Sequence, residues 1–206
     1  MAANFNNAAW FYDALARLVY GKALVNAQVY LLKHITPNRR VLIVGGGTGW
    51  ILEEISKIHP SSMDITYVDV SANMMALARK RNAGANKVTF ITGAIEDTVI
   101  TTQFDTVLTP FLLDNFTEEN LNKLFNHIHQ SLKPGGLWLN TSFQLSGKWW
   151  QSVLLKTMFV FFKVLCGIEA SKLPPINQCF EQYGYKLIDE KAFFGGFIIS
   201  KANLIE

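Results

Sequence analysis

Nine consecutive residues constrain this chain more than any others: Val41-Leu42-Ile43-Val44-Gly45-Gly46-Gly47-Thr48-Gly49. A short apolar run stops at a cluster of glycines, and the pattern from Trp50 to Ile58 is helical. A buried strand that turns directly into a helix fits this order. Glycines let the chain turn tightly and let a ligand approach the backbone without meeting a Cβ. The helix that follows presents unpaired N–H groups and a partial positive charge. Such a loop suits a nucleotide-like ligand, including one with a carboxylate.

The remaining pattern repeats that unit. The first 36 residues read as two helices, divided at Gly21 and stopped at Thr36-Pro37, because the residue before proline disfavours the α region. Phe11, Leu15, Leu18 and Val19 are expected on one face of the first helix; Leu24, Leu31 and Ile35 share a face of the second. Strands are expected at 41–44, 64–68, 87–92, 104–109 and 137–143, with helices at 50–58, 72–81 and 118–132 and a turn at Lys133-Pro134-Gly135-Gly136. Strands alternating with helices imply parallel βαβ units. Beyond Trp149 come a long apolar helix, a short helix ending at Tyr183, and strands at 185–191 and 197–202. The short link at Gly195-Gly196 requires those two to pair antiparallel. The expected architecture is one α/β domain over 1–206: a helical cap (1–36), a ligand-binding core (37–143), and substrate-side helices with closing strands (144–206).

Asp69 stands at the end of the second strand, in Tyr67-Val68-Asp69-Val70-Ser71. In a doubly wound sheet that strand end lies beside the glycine loop, where a carboxylate can accept from both hydroxyls of a ribose. The alternative is a helix cap for Ala72, although Ser71 already suits that position.

GGGTG, VDVSANMM and LKPGG together resemble the motifs of class I S-adenosylmethionine-dependent methyltransferases, with the match running from about Val41 to Phe143. The resemblance implies a Rossmann-like, mostly parallel seven-stranded sheet with an antiparallel last strand, and S-adenosylmethionine as cofactor. It implies that Gly45, Gly46, Gly47 and Gly49 line the methionine and ribose part of the cofactor, that Asp69 holds the ribose, and that Val70 and Met74 pack on the adenine. Met75 reads as core. Backbone groups of Ala94 and Ile95 would read the adenine edge, and Thr109 would close the sulfonium side with Pro110 and Phe111. Tyr12 resembles the tyrosine of a Tyr-Asp pair in the N-terminal helix of relatives akin to quinone-biosynthesis methyltransferases. Two positions depart from the family: Ile43 and Ala94 stand where an acid is common, and Glu96 is the nearest substitute for the second.

Methyl transfer from a sulfonium needs alignment more than a catalytic side chain, so catalytic residues are left unassigned. Asp114 is the first candidate base, against a loop or helix-start acid. His127 and His129 point to different faces of one helix; His34 and His59 are expected to be solvated at helix ends. The helix from Trp149 to Ile168 carries Ser152, Lys156 and Lys163 on one narrow stripe and is otherwise apolar. It is expected to cover the domain and wall a pocket for a small, apolar or lipid-like acceptor, with Phe111, Trp149, Trp150, Phe159 and Phe162 as lining, or else to be a buried cover or dimer contact. Its apolar stretch is too short for a comfortable membrane span of about 20 residues and holds two lysines.

Nineteen Lys and Arg against 16 Asp and Glu give a net charge of +3. That balance does not announce a nucleic-acid binder, and Arg79-Lys80-Arg81 reads as a helix C-terminus. Cys166 and Cys179 have no metal-ligand spacing, so no metal is expected. A cytoplasmic enzyme with no stable membrane insertion is expected. Rival readings are an NAD-dependent oxidoreductase, disfavoured by Trp50 where the fingerprint needs Gly or Ala, and a methyltransferase fold that has lost its cofactor and only binds a partner.

Overall fold

The computed structural model describes residues 5–7, 9–99 and 102–206. The strands are β1 (Arg40–Val44), β2 (Ser61–Asp69), β3 (Ala85–Thr92), β4 (Phe104–Pro110), β5 (Leu132–Phe143), β6 (Tyr185–Phe193) and β7 (Ile198–Ile205). The helices are α1 (Tyr12–Tyr20), α2 (Ala23–Leu31), α3 (Trp50–Ile58), α4 (Ala72–Ala78), α5 (Glu118–Ser131), α6 (Trp149–Cys166) and α7 (Ile176–Gln182). The strands form one sheet in the order β3-β2-β1-β4-β5-β7-β6. β7 runs antiparallel to both β5 and β6, and the pairs from β3 through to β5 are parallel. This is the doubly wound, Rossmann-like sheet with an antiparallel last strand expected from the sequence.

Alternation along β1 explains the layering, because successive strand side chains point to opposite faces. Val41 and Ile43 pack with Ile51, Leu52 and Ile55 of α3 and Met75 of α4. Leu42 and Val44 face the other way, toward Leu124, Phe125 and Ile128 of α5 and Phe180 of α7. The chain leaves β1 toward β2 and β3, then crosses back to β4 on β1's other side. That reversal opens a crevice at the carboxyl ends of β1 and β4, where ligands of such sheets bind.

The structure corrects several details. Lys133-Pro134-Gly135-Gly136 is a break in register inside β5, between the pairs Phe104–Leu132 and Thr106–Leu137, with Gly135 at φ 72°. On α1, Leu18 is 83% exposed; the inward residues are Phe11, Tyr12 and Tyr20, which meet α6. Phe11 lies 6.4 Å from Phe161 and Tyr12 lies 6.1 Å from Phe162, centroid to centroid. His34 is not simply solvated: its Nε2 sits 2.7 Å from Asp189 Oδ2, beside Lys33 and Tyr30, which bind the same carboxylate. The Lys33 side chain leads the effects that hold Asp189 well below the usual carboxylate range. His59 Nε2 reaches the Ile35 carbonyl at 2.9 Å.

α6 departs most from its expected orientation. Leu155, Phe159 and Cys166 are buried, but Trp149, Val153, Val160 and Val164 are exposed together with Lys156 and Lys163. The helix therefore covers the domain with one face and shows water a face that is both apolar and cationic. By length and composition it could cross a membrane; here it lies across the sheet's end against α1, joining Phe11, Tyr20 and Phe197 in one aromatic cluster.

Candidate cofactor and acceptor site

The crevice between β1 and β4 opens into a cavity of about 530 Å³. Tyr12, Gly45, Gly46, Gly47, Asp69, Val70, Met74 and Ile95 all line it, although they come from five separate stretches of chain. Gly49, Ala94 and Thr109 do not line it.

The glycines differ in what they make room for. A Cβ on Gly46 would overlap the Tyr67 ring, whose hydroxyl donates to the Gly47 carbonyl at 3.0 Å. A Cβ on Gly49 would come within 2.6 Å of Ala78 in α4, and one on Gly45 within 2.8 Å of Leu112. Only at Gly47, with φ 63°, would a Cβ point into open space. Most of the loop's glycine content thus serves packing between protein elements, and Gly47 is where the backbone faces the cavity.

Asp69 is 7% exposed. Its Oδ2 accepts from Gly47 N–H and its Oδ1 from Ser71 N–H, both at 2.9 Å. Burial raises its pKa and those two N–H groups oppose the rise. Ser71 does cap α4: its Oγ accepts from Met74 N–H at 3.1 Å. The side chains of Met74 and Met75 separate as expected, with Met74 on the cavity and Met75 in the core.

The N-terminal segment is tied over this loop by polar contacts that sequence reasoning missed. Thr48 Oγ1 donates to Asp13 Oδ2 at 2.8 Å, and Arg81 Nε donates to the Thr48 carbonyl at 3.0 Å. Arg81 also reaches Asp13 at 3.3 Å and Glu53 at 3.5 Å. Asn6 Oδ1 accepts from Ser71 Oγ at 2.7 Å and from Asn73 N–H at 3.0 Å. Arg81 therefore lines the cavity, three residues beyond the end of α4, and is not a cation of that helix's last turn. Tyr12, beside Asp13, lines the cavity, and burial raises its pKa to about 12.

The departures from the family resolve differently. Ile43 is fully buried in the layer beneath the sheet, so that position is apolar throughout. Glu96 lines the cavity where Ala94 does not. Thr109 is fully buried; it receives Trp138 Nε1–H at 2.9 Å and donates to Asn140 at 3.0 Å. At this strand end the cavity is lined instead by Pro110, Phe111 and Leu112. Phe111 has φ 52°, a conformation costly for a bulky residue. Its N–H bonds the Thr141 carbonyl at 2.9 Å and its carbonyl accepts from Asn115 Nδ2 at 2.9 Å.

At the far end the wall is aromatic. Phe111, Phe143, Phe159 and Phe162 line the cavity, as do Leu155 and Met158 of α6. Trp149 is 79% exposed and Trp150 lines a separate shallow groove with Val19 and Phe194, so neither belongs to this wall. Asp114 lies in it: it is 4% exposed, its Oδ2 accepts from Phe143 N–H at 3.0 Å, and its Oδ1 has no partner among the described residues. Burial pushes its pKa up to about 7, against the pull of the Phe143 N–H.

Comparison with known proteins agrees with this geometry. A family model described as a methyltransferase domain matches residues 41–136. The chain is 30% identical over 141 residues to a malonyl-[acyl-carrier protein] O-methyltransferase of Priestia megaterium, covering 68% of this chain and 49% of that protein. It is 29% identical over 170 residues to the ubiquinone/menaquinone biosynthesis C-methyltransferase UbiE of Wigglesworthia glossinidia brevipalpis, covering 80% and 63%. Residues 41–136 match the methyltransferase domain, and the fold is that of class I S-adenosylmethionine-dependent methyltransferases. The methyltransferase match spans the strand-loop-helix of Gly45–Gly49, Asp69 and the Lys133–Gly136 break in β5. The chain spans about half the length of the first curated relatives it matches. Its fold is also that of magnesium protoporphyrin IX methyltransferase from Synechocystis PCC 6803, solved with bound SAH, at TM-score 0.66, 14% identity, and 89% and 82% coverage.

Proposed function

We propose that this domain transfers a methyl group from S-adenosylmethionine to a small apolar acceptor. The observation that carries this reading is that one cavity holds both a polar end, made by the glycine loop and Asp69, and an aromatic end, made by Phe111, Phe143, Phe159 and Phe162. The residues fit the cofactor. Gly47 leaves open the space a Cβ would fill, and Asp69 is a buried carboxylate with, among the described residues, one backbone N–H on each oxygen. Each carboxylate oxygen can accept more than one hydrogen bond.

In this reading Asp69 holds the ribose hydroxyls, Gly45, Gly46 and Gly47 seat the methionine end, and Val70, Met74 and Ile95 flank the adenine. Glu96 offers the adenine amine an acceptor in place of Ala94. Gly49 and Thr109 act from behind, through α4 packing and the Trp138–Thr109–Asn140 bonds. Bound there, the cofactor supplies an electrophilic methyl on a positively charged sulfur. The chain's own task is to hold the acceptor in line and keep water out. Orientation of this kind can supply about 7–11 kcal/mol of a barrier. α1 and α6 supply the exclusion by covering the cavity with aromatic side chains. The free, buried thiols of Cys166 and Cys179 suit a reducing compartment, and we place the enzyme's action in the cytoplasm.

The test is product formation. The protein is incubated with S-adenosylmethionine and a panel of small apolar acceptors, and released S-adenosylhomocysteine is measured against a no-acceptor control. Acceptor-dependent release supports the reading. Release that no acceptor stimulates, from protein that binds the cofactor, would point to a binding protein without catalysis.

A further inference from the structure

Among the described cavity residues, Asp114 alone combines a buried carboxylate with an oxygen that no described residue satisfies. A buried polar atom without a partner costs about 1–3 kcal/mol, so its position calls for a reason. Its Oδ2 is committed to Phe143 N–H, which fixes the carboxyl plane. Oδ1 is the unpartnered atom among the described residues; it is itself buried, and the residue that carries it belongs to a wall that includes Phe111, Leu112, Phe116 and Phe143. The element carrying it, the turn Leu113–Asn115, follows directly on the Pro110-Phe111-Leu112 wall. No cation pairs with Asp114 among the described residues; burial and the Phe143 N–H are the two influences on its ionisation.

Resting on the proposed methyl transfer, we infer that Asp114 Oδ1 is the acceptor subsite for an ionisable hydroxyl, and that the acceptor is an aromatic or enolic compound methylated on that oxygen. The apolar wall selects a flat hydrophobic body, and the single unpartnered oxygen selects one O–H donor. An ammonium would need more than one acceptor, and this carboxyl has one oxygen left to give. A phenol, with pKa near 10, is within a few units of Asp114, as general base catalysis prefers. An aliphatic hydroxyl is about as weak an acid as water. The step balances: the acceptor oxygen forms the bond to the methyl carbon, the carbon–sulfur bond breaks with its electron pair left on sulfur, and the hydroxyl proton passes to Asp114 and then to solvent.

The experiment compares 2-naphthol with 2-methoxynaphthalene, which has the same ring system but no O–H. Both are titrated into the protein at pH 8 in saturating S-adenosylhomocysteine. The wild type is expected to bind 2-naphthol about tenfold to a hundredfold more tightly, the span of a hydrogen bond to a charged group. Asp114→Asn keeps an oxygen for Phe143 N–H and turns an N–H₂ toward the cavity, so the preference is expected to vanish while S-adenosylhomocysteine affinity holds. If that variant does not fold, the wild type still decides: the preference should shrink as pH falls from 8 through about 7, as Asp114 takes up a proton. Equal affinities at pH 8, or a preference unchanged in Asp114→Asn or at low pH, would overturn the subsite. Failure of S-adenosylhomocysteine to bind, with the naphthol preference intact, would overturn the proposed methyl transfer and leave the subsite standing.

Discussion

Asp69 and Gly47, 22 residues apart in sequence, are joined by a 2.9 Å hydrogen bond from the Gly47 N–H to Asp69 Oδ2. The acid at the end of β2 and the open point of the glycine loop are therefore one unit. Asp69 both shapes the loop and, through its remaining lone pairs, faces the cavity.

Asp69→Ala is expected to weaken S-adenosylhomocysteine binding by about 1.5–3 kcal/mol, the range for hydrogen bonds to a charged group. Because the Gly47 N–H loses its partner, the melting temperature of the unliganded protein should fall as well. Calorimetric titration and a thermal melt of the same samples check both. Unchanged affinity in a folded variant would move the ribose site elsewhere.

The glycines should separate by role. Gly46→Ala collides with the Tyr67 ring and is expected to destabilise the fold whether or not ligand is present. Gly47→Ala meets only the strain of φ 63°, about 1 kcal/mol, and should fold, while Gly47→Val should fold poorly or bind no cofactor. Melting curves with and without S-adenosylhomocysteine distinguish them. A Gly46→Ala protein as stable as wild type would contradict the packing assignment.

Arg81→Met removes the cation that joins Asp13, Thr48 and Glu53. Faster amide hydrogen exchange in α1 and weaker cofactor binding are the expected results, with α5 unchanged. Exchange in α1 equal to wild type would mean that the aromatic contacts of Phe11 and Tyr12 hold the cap alone.

Stability should depend on pH through Asp114. Its folded pKa, about 7, exceeds the unfolded value of about 3.9, so between those values the native state holds a proton that the unfolded state has lost. The slope of unfolding free energy with pH is then negative, and stability contributed by this group falls as pH rises from about 4 to about 7. Denaturant titrations of wild type and Asp114→Asn across that window should differ in slope, the variant being flatter. Parallel curves would mean that Asp114 is ionised throughout.

The α6 faces give a paired prediction. Phe159→Ser should raise KM for an apolar acceptor more than it weakens cofactor affinity, whereas Val164→Ser, on the outward face, should change neither. A variant that altered only self-association would make α6 an interface helix.

The sequence carried the local features and lost the long-range ones. α3 begins and ends where the periodicity of Trp50 to Ile58 places it, and Ser71 caps α4 as its residue type suggests. Eight of the eleven proposed cofactor residues line one cavity, because strand ends in this topology converge. What could not be read was pairing across the chain. Arg81 meets Asp13 from 68 residues away, and His34 meets Asp189 from 155. Leu18 fits a helical stripe by composition, yet the partner helix selects Phe11, Tyr12 and Tyr20. Asp114 was visible as an acid near the right strand, but its unpartnered burial is a property of the surrounding wall.

The most direct test of the central claim is a calorimetric titration of the intact protein with S-adenosylhomocysteine and, separately, with NAD. Saturable one-to-one binding of S-adenosylhomocysteine, lost or weakened in Asp69→Ala, with no heat from NAD, is the predicted result. Binding of NAD in its place, or no binding of S-adenosylhomocysteine at millimolar concentration, would contradict it.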